Sequence, residues 1–258
     1  NLVRQARREL VMPYSRIGTP ERALDVFMRY AENRDGALDM LESLAELYFD
    51  TGQWDKTIAT YHRLMAEAPQ SDKLCNWEGK ITNAVLNQGN KNNTVQELAR
   101  LTRVYETFVG ETHPDTAKNE CKAATAAVLF TLATQWHVEA VGTEDHPGTN
   151  DRATMTQAAD LYQMLLAQFP DMENLEYPEI RREDWPSKYK VAYYYADLLY
   201  KAQDWQRCGP AFDQVVSINP QGEFTSDAAY AAVLCYNNLY QSQYQGRERQ
   251  AAGDAQPQ

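Results

Sequence analysis

Four segments of this chain share one spacing: a small residue, an aromatic four positions on, and a large apolar residue three beyond that. They are Ala23, Phe27 and Tyr30; Thr57, Tyr61 and Leu64; Ala158, Tyr162 and Leu165; and Cys208, Phe212 and Val215. Steps of four and three set all three side chains on one face of an α-helix. Five residues further on stand Pro69, Pro170 and Pro220, with Asp35 at that place in the first segment. A proline there ends the helix, because it has no N–H for the next backbone bond and its ring crowds the preceding turn. Five residues before the small residue, Gly18 and Gly52 suit a tight turn that needs a left-handed backbone.

Each such helix has a partner upstream. Leu41, Leu44, Ala45 and Tyr48 follow the i, i+3, i+4, i+7 rule, as do Ala192, Tyr195, Ala196 and Leu199, and the interval from Ala45 to Thr57 equals that from Ala196 to Cys208. The segments AAVLF (126–130) and AAVLC (231–235) read as two further first helices. Residues 72–116 read as another pair in poor registration, with Leu101 as the small-residue counterpart. Pro13 interrupts the first helix of the opening pair, and residues 223–245 supply a last helix without a clear partner. Between Ala127 and Ala158 the turn is expanded by HVEAVGTEDHPGTNDRATM. The stretch 171–189, with two prolines and mixed charge, reads as an ordered excursion or hinge. Residues 246–258 lack apolar periodicity and read as a frayed tail or linker.

These columns resemble the tetratricopeptide repeat family, whose helix pair recurs at about 34 residues. Residues 38–71 and 189–222 fit best, and 118–172 fit with the expanded turn. The resemblance implies an all-α fold, a right-handed superhelical solenoid of antiparallel helix pairs over residues 1–245, in which each pair buries its apolar stripe against the next. It also implies a concave face lined by first helices. Carried over, the groove-facing residues are Asp39, Glu42, Glu46, Phe49 and Asp50 in one repeat, and Lys190, Tyr193, Asp197, Tyr200 and Lys201 in another. Placing Ala232 in register adds Tyr236 and Asn237. Such a face is acidic towards the N-terminal end and tyrosine-rich towards the C-terminal end, where Tyr240 joins the set. Tyrosine offers large contact area at low rotamer cost, although tyrosines on packed helices also serve as core.

Other chemistries find little footing. A net charge of −11 repels a phosphate backbone, so nucleic acid is not the expected partner, and the Arg4, Arg7, Arg8 cluster reads as a solvated helix face. No apolar run approaches the roughly 20 residues that span a bilayer. The start, NLVRQARREL, carries neither an initiator methionine nor a secretion signal, and reads as the edge of a fragment or of a processed protein. His62, His113, His137 and His146 are dispersed, read as solvated, and stand at no nucleophile spacing, so no catalytic residue, cofactor or metal site is expected. The loop GTEDHPGTND reads as a polar turn, since it lacks the alternating acids of a calcium loop. Cys75, Cys121, Cys208 and Cys235 have no CxxC spacing and read as small core residues. The other reading pairs Cys208 with Cys235, or Cys75 with Cys121, on neighbouring helices in an oxidising compartment.

The function expected is a non-catalytic scaffold that binds a protein segment, a basic one at the acidic half, along the concave face. The runs YYYADLLYKAQDWQRCGPAFDQVV and DAAYAAVLCYNNLY also resemble repeat proteins of bacterial cell envelopes that accompany gliding-motility machinery, which implies periplasmic residence within a multiprotein complex. The alternatives are the noncatalytic portion of an envelope glycan-processing enzyme and a polysaccharide-binding module.

Overall fold

The small, aromatic and apolar columns share one environment in three dimensions. In the computed structural model, which describes residues 2–143, 145–177 and 180–254, the small residues Ala23, Thr57, Ala158 and Cys208 are all 0% exposed. The aromatics Phe27, Tyr61, Tyr162 and Phe212 are buried beside them, as are Leu64, Leu165 and Val215, whereas Tyr30 stands exposed. The first-helix stripe Leu41, Leu44, Ala45 and Tyr48 is fully buried as well. Truncating any one of these large side chains would cost on the order of 3–5 kcal/mol, through lost burial and the cavity left behind.

The chain is all-α among the described residues and divides into two compact units, Asn1–Thr125 and Ala126–Gln258. Unit 1 holds α1 (Leu2–Ile17), α2 (Pro20–Tyr30), α3 (Arg34–Asp50), α4 (Trp54–Glu67), α5 (Leu74–Asn87), α6 (Lys91–Gly110) and the first part of α7 (Asp115–Val141). Helices α3 and α4, α4 and α5, and α5 and α6 pack in sequence, with α1 and α2 on α3. Unit 2 holds the rest of α7, α8 (Arg152–Gln168), α9 (Lys188–Lys201), α10 (Trp205–Ile218) and α11 (Thr225–Asp254), with α8 on α9, α9 on α10 and α10 on α11. This is the helix-pair solenoid pattern within each unit. No described helix is long and apolar enough to cross a membrane.

Two hairpin turns repeat each other bond for bond. After α3, Gly52 N–H donates to Phe49 O at 3.0 Å and Gln53 N–H to Tyr48 O at 2.9 Å; after α9, Gln203 N–H donates to Tyr200 O at 3.0 Å and Asp204 N–H to Leu199 O at 2.8 Å. Both turns need a left-handed residue, Gly52 at φ +69° and Gln203 at φ +59°. Gly18 does not take that conformation; a Cβ there would meet the Tyr14 ring at 2.3 Å, so close packing is what demands glycine. The second helices stop at Glu67, Gln168 and Ile218, one residue short of the position before each proline.

Helix takes up the two ends of the expanded turn, 137–141 and 152–155. α7 continues to Val141, and the remaining loop folds back on it through Thr149 N–H to Glu139 O and Asn150 N–H to Ala140 O, both 2.9 Å. Asp151 caps α8 by accepting from the N–H groups of Ala153 and Thr154. In the excursion, Tyr177 is buried, its hydroxyl donates to Met172 O, and Trp185 Nε1 donates to the carbonyls of Tyr177 and Ile180. Pro178 and Glu179 of the expected hinge lie outside the described residues, as do residues 255–258 of the expected tail. The backbone before residue 255 belongs to α11, which runs past residue 245. The side chains of Arg4, Arg7 and Arg8 also lie outside the described set.

The cysteines correct the reading of plain core residues. Cys75 on α5 is bonded to Cys121 on α7, and Cys208 on α10 to Cys235 on α11, with Cα–Cα distances of 5.4 and 5.7 Å. All four are buried, so their burial was legible, but pairing depends on which helices become neighbours. Loops of 46 and 27 residues place each bond's stabilisation at about 3–4 kcal/mol in the chain-entropy view.

Candidate functional site

The start of α3 sets the phase of the site. Asn33 caps the helix by accepting from Gly36 N–H at 2.8 Å, and the face carrying Ala37, Leu41, Leu44 and Tyr48 turns into the core. A second stripe on the same helix, Asp35, Asp39, Glu42 and Glu46, also runs in steps of four, three and four. It lines one side of a groove of about 630 Å³ floored by the buried Val11 and Met40, with Glu32 and Lys73 at its edges. Among the described residues, five carboxylates thus face one ammonium.

That ammonium is engaged. Lys73 Nζ donates to Glu42 Oε2 at 2.6 Å and Trp77 Nε1 to Glu42 Oε1 at 2.9 Å, so α5 holds the Glu42 carboxylate against the groove wall. The hydrogen bond to Glu42 lifts Lys73 above its ordinary pKa, keeping the pair charged. With Glu42 matched by Lys73, the described residues of the groove keep an excess of negative charge that attracts cationic groups at a distance.

The groove brings together three of the expected contact residues: Asp39, Glu42 and Glu46. Phe49 sits further along α3, its ring edge-on to Trp54 at 5.7 Å and under Lys80 Nζ at 4.3 Å; Asp50 is exposed at the helix end. Tyr200 repeats the arrangement in unit 2, edge-on to Trp205 at 5.5 Å, so both rings brace the turn to the next helix. Tyr193 is half-buried and stacks on Phe224 at 4.3 Å. Asp197 lies between Lys201 Nζ and His137 Nε2, each 3.6 Å away, and Lys190 Nζ stands 5.9 Å from the Tyr194 ring. Tyr236 leans on α10: its hydroxyl donates to Asp213 at 2.5 Å, and its ring fills the space a Cβ on Gly209 would need. Asn237 and Tyr240 are exposed on α11.

Glu32, Asp35 and Lys73 of the groove were not foreseen. Asp35 is legible afterwards, since it continues the α3 stripe by one turn, whereas Lys73 comes from the start of α5 at no fixed spacing. His146 is exposed, as the solvated reading has it, but other histidines differ from that reading. His113 is buried, stacked on Phe108 at 3.9 Å, with Nδ1 2.7 Å from Asp72; His62 is half-buried against the Arg100 guanidinium. Burial first, and then Arg100, pushes His62 below its ordinary pKa. Arg100 also donates to the fully buried Glu78 at 3.0 Å. These contacts tie α4, α5 and α6 together.

Comparison with known proteins yields a family match over one stretch: residues 39–71 match the tetratricopeptide repeat model. No curated protein matches the chain. Among solved structures, the chain is similar to a Podosopora anserina protein of nearly identical TPR-like repeats, at 14% identity, covering 83% of this chain and 93% of that one, with a TM-score of 0.36. It is also similar to BtubC of P. vanneervenii, at 12% identity, covering 93% and 91%, with a TM-score of 0.36. The matched stretch contains α3 from Asp39 on, all of α4, and Asp39, Glu42 and Glu46 of the groove, and repeats of this family suggest a protein-interaction scaffold.

Proposed function

We propose that the chain is a non-catalytic scaffold whose α3 groove takes a lysine- or arginine-bearing segment of a protein partner. The observation that carries this reading is the groove itself: Glu32, Asp35, Asp39, Glu42 and Glu46 around an apolar floor, with Lys73 as the one cation among the described residues of its lining. An extended basic segment lays its aliphatic stems on Val11 and Met40 and its charges against the carboxylates. Tyr193, Asp197, Tyr200 and Lys201 on α9 form a second contact set in unit 2, and Tyr236 and Asn237 on α11 also face a protein chain. The compartment proposed is extracytoplasmic, the periplasm or envelope, because two disulfides persist where the surroundings are oxidising. A place in a motility-type envelope complex rests on the resemblance of the α9–α11 sequence alone.

The test is zero-length carbodiimide cross-linking of the native assembly, which joins a partner's lysine to a carboxylate in contact with it. Cross-links to Asp35, Asp39 or Glu46 are expected. Partner cross-links confined to carboxylates away from the groove would contradict the assignment.

A further inference from the structure

Helix α11 buries one face and leaves the opposite face bare. Ala228, Ala232 and Cys235 pack inward, while Tyr230, Val233, Tyr240 and Tyr244 are 68%, 64%, 64% and 50% exposed. With Asn237 these residues recur in steps of three and four, the heptad rhythm of a helix that meets another helix. Tyr240 and Tyr244 already stack on each other at 6.2 Å. Apolar side chains in a row on a solvated helix mark an interaction surface.

We infer that this stripe is a homodimer contact, in which α11 of one copy crosses α11 of a second at Asn237. Two observations select a second copy. The chain carries a net charge of −11, so two copies repel over most of their surface, yet the 19 residues from Ala228 to Gly246 hold no ionisable acid or base other than tyrosine. They form the longest stretch without Asp, Glu, Lys or Arg, and like-charge repulsion between copies is smallest there. Asn237 sits at the centre of the stripe, with Tyr230 and Tyr244 seven residues to either side. A purely apolar partner would leave its amide unmatched, whereas a two-fold axis at Asn237 sets amide against amide, each donating to the other's carbonyl. A lone asparagine at such a position fixes register in paired helices.

The size of the contact sets its strength. At the exposures above, and roughly 150–250 Å² for a full aromatic ring, the stripe offers about 400 Å² per copy. The total, about 800 Å², falls below the roughly 1,200–2,000 Å² of stable complexes, which places the dimer in the weak, reversible class. The α3 groove belongs to the other unit and contributes no residue to this contact.

Sedimentation velocity on the full chain, from low to high micromolar concentration, reads the result. A monomer that converts to a dimer as concentration rises is expected, with Tyr230→Glu and Tyr240→Glu together weakening dimerisation by at least about tenfold at an unchanged helical circular dichroism signal. Asn237→Cys under mild oxidation is expected to cross-link to itself in higher yield than Ser217→Cys on α10, which decides the matter should the tyrosine variants fail to fold. A monomer at every concentration, a dimer that survives both tyrosine substitutions, or equal cross-linking at the two cysteine positions would overturn the inference.

Discussion

Glu78 has no exposed surface, and its Oε1 has no hydrogen-bond donor; Glu97 Oε1 is likewise buried without one. A proton on Glu78 donated to Glu97 satisfies both oxygens. Burial, and then this neighbouring carboxylate, outweigh Arg100 and push the Glu78 pKa up to about 8. In the folded state Glu78 therefore keeps a proton that the unfolded chain releases near the ordinary carboxylate value. Its contribution is complete below that value and is lost as pH rises towards about 8, so stability falls across the window. Glu78→Gln keeps a donor at the same place and should flatten this decline, a difference that urea denaturation at successive pH values reads directly. A wild-type protein whose stability rises over the same window would contradict the assignment. Glu78 shares the helical spacing of Cys75, Thr82 and Val85, so a buried acid was legible from its place on an apolar face. Its partners were not, because Arg100 and Glu97 come from α6, at no fixed interval from Glu78.

At the scale of the element, the hairpin turns are where sequence and backbone part company. Gly52 answers the requirement for a left-handed residue after α3, while the same place after α9 is filled by Gln203, whose side chain accepts a hydrogen bond from Arg152. A residue with a Cβ is strained there by roughly 1–2 kcal/mol. Gln203→Gly should raise stability by about 1 kcal/mol once the lost contact and the added freedom of the unfolded chain are set against that strain, and Gly52→Ala should lower it by a similar amount. Opposite shifts of the two denaturation midpoints are the signature; a drop for Gln203→Gly would show that the Arg152 contact dominates. The helix ends after α4, α8 and α10 were legible from Pro69, Pro170 and Pro220, although Pro13 and Pro210 lie inside α1 and α10 without ending them. The extension of α7 was less so. Ala133, Trp136 and Ala140 are buried along it, but no aromatic column or proline announces where the helix stops, and the loop that follows depends on a close approach at Gly142. A Cβ there would meet Gly148 N and His146 O at 2.4 Å.

For the molecule as a whole, the recurring columns made the helix-pair architecture legible, since a 3.6-residue period and a proline stop are local effects. The sites were only half legible. Asp39, Glu42 and Glu46 came in through the family resemblance, which names positions on one helix, but a groove also needs a floor and an opposite wall. Val11, Glu32 and Lys73 come from three other places in the chain. The same holds for the disulfides, whose partners are set by packing. Chemistry follows from what these parts supply: a negative groove, a neutral helix face and covalent ties between neighbouring helices, all suited to holding proteins together.

The central claim, that the α3 groove recognises positive charge on a protein segment, is tested most directly by fluorescence anisotropy of the full chain with a labelled lysine-rich peptide at low and high salt. Binding that weakens steeply as salt screens the carboxylates is expected, with a loss of about tenfold or more in Asp39→Lys with Glu46→Lys at low salt. Affinity indifferent both to salt and to those two charge reversals would contradict the claim.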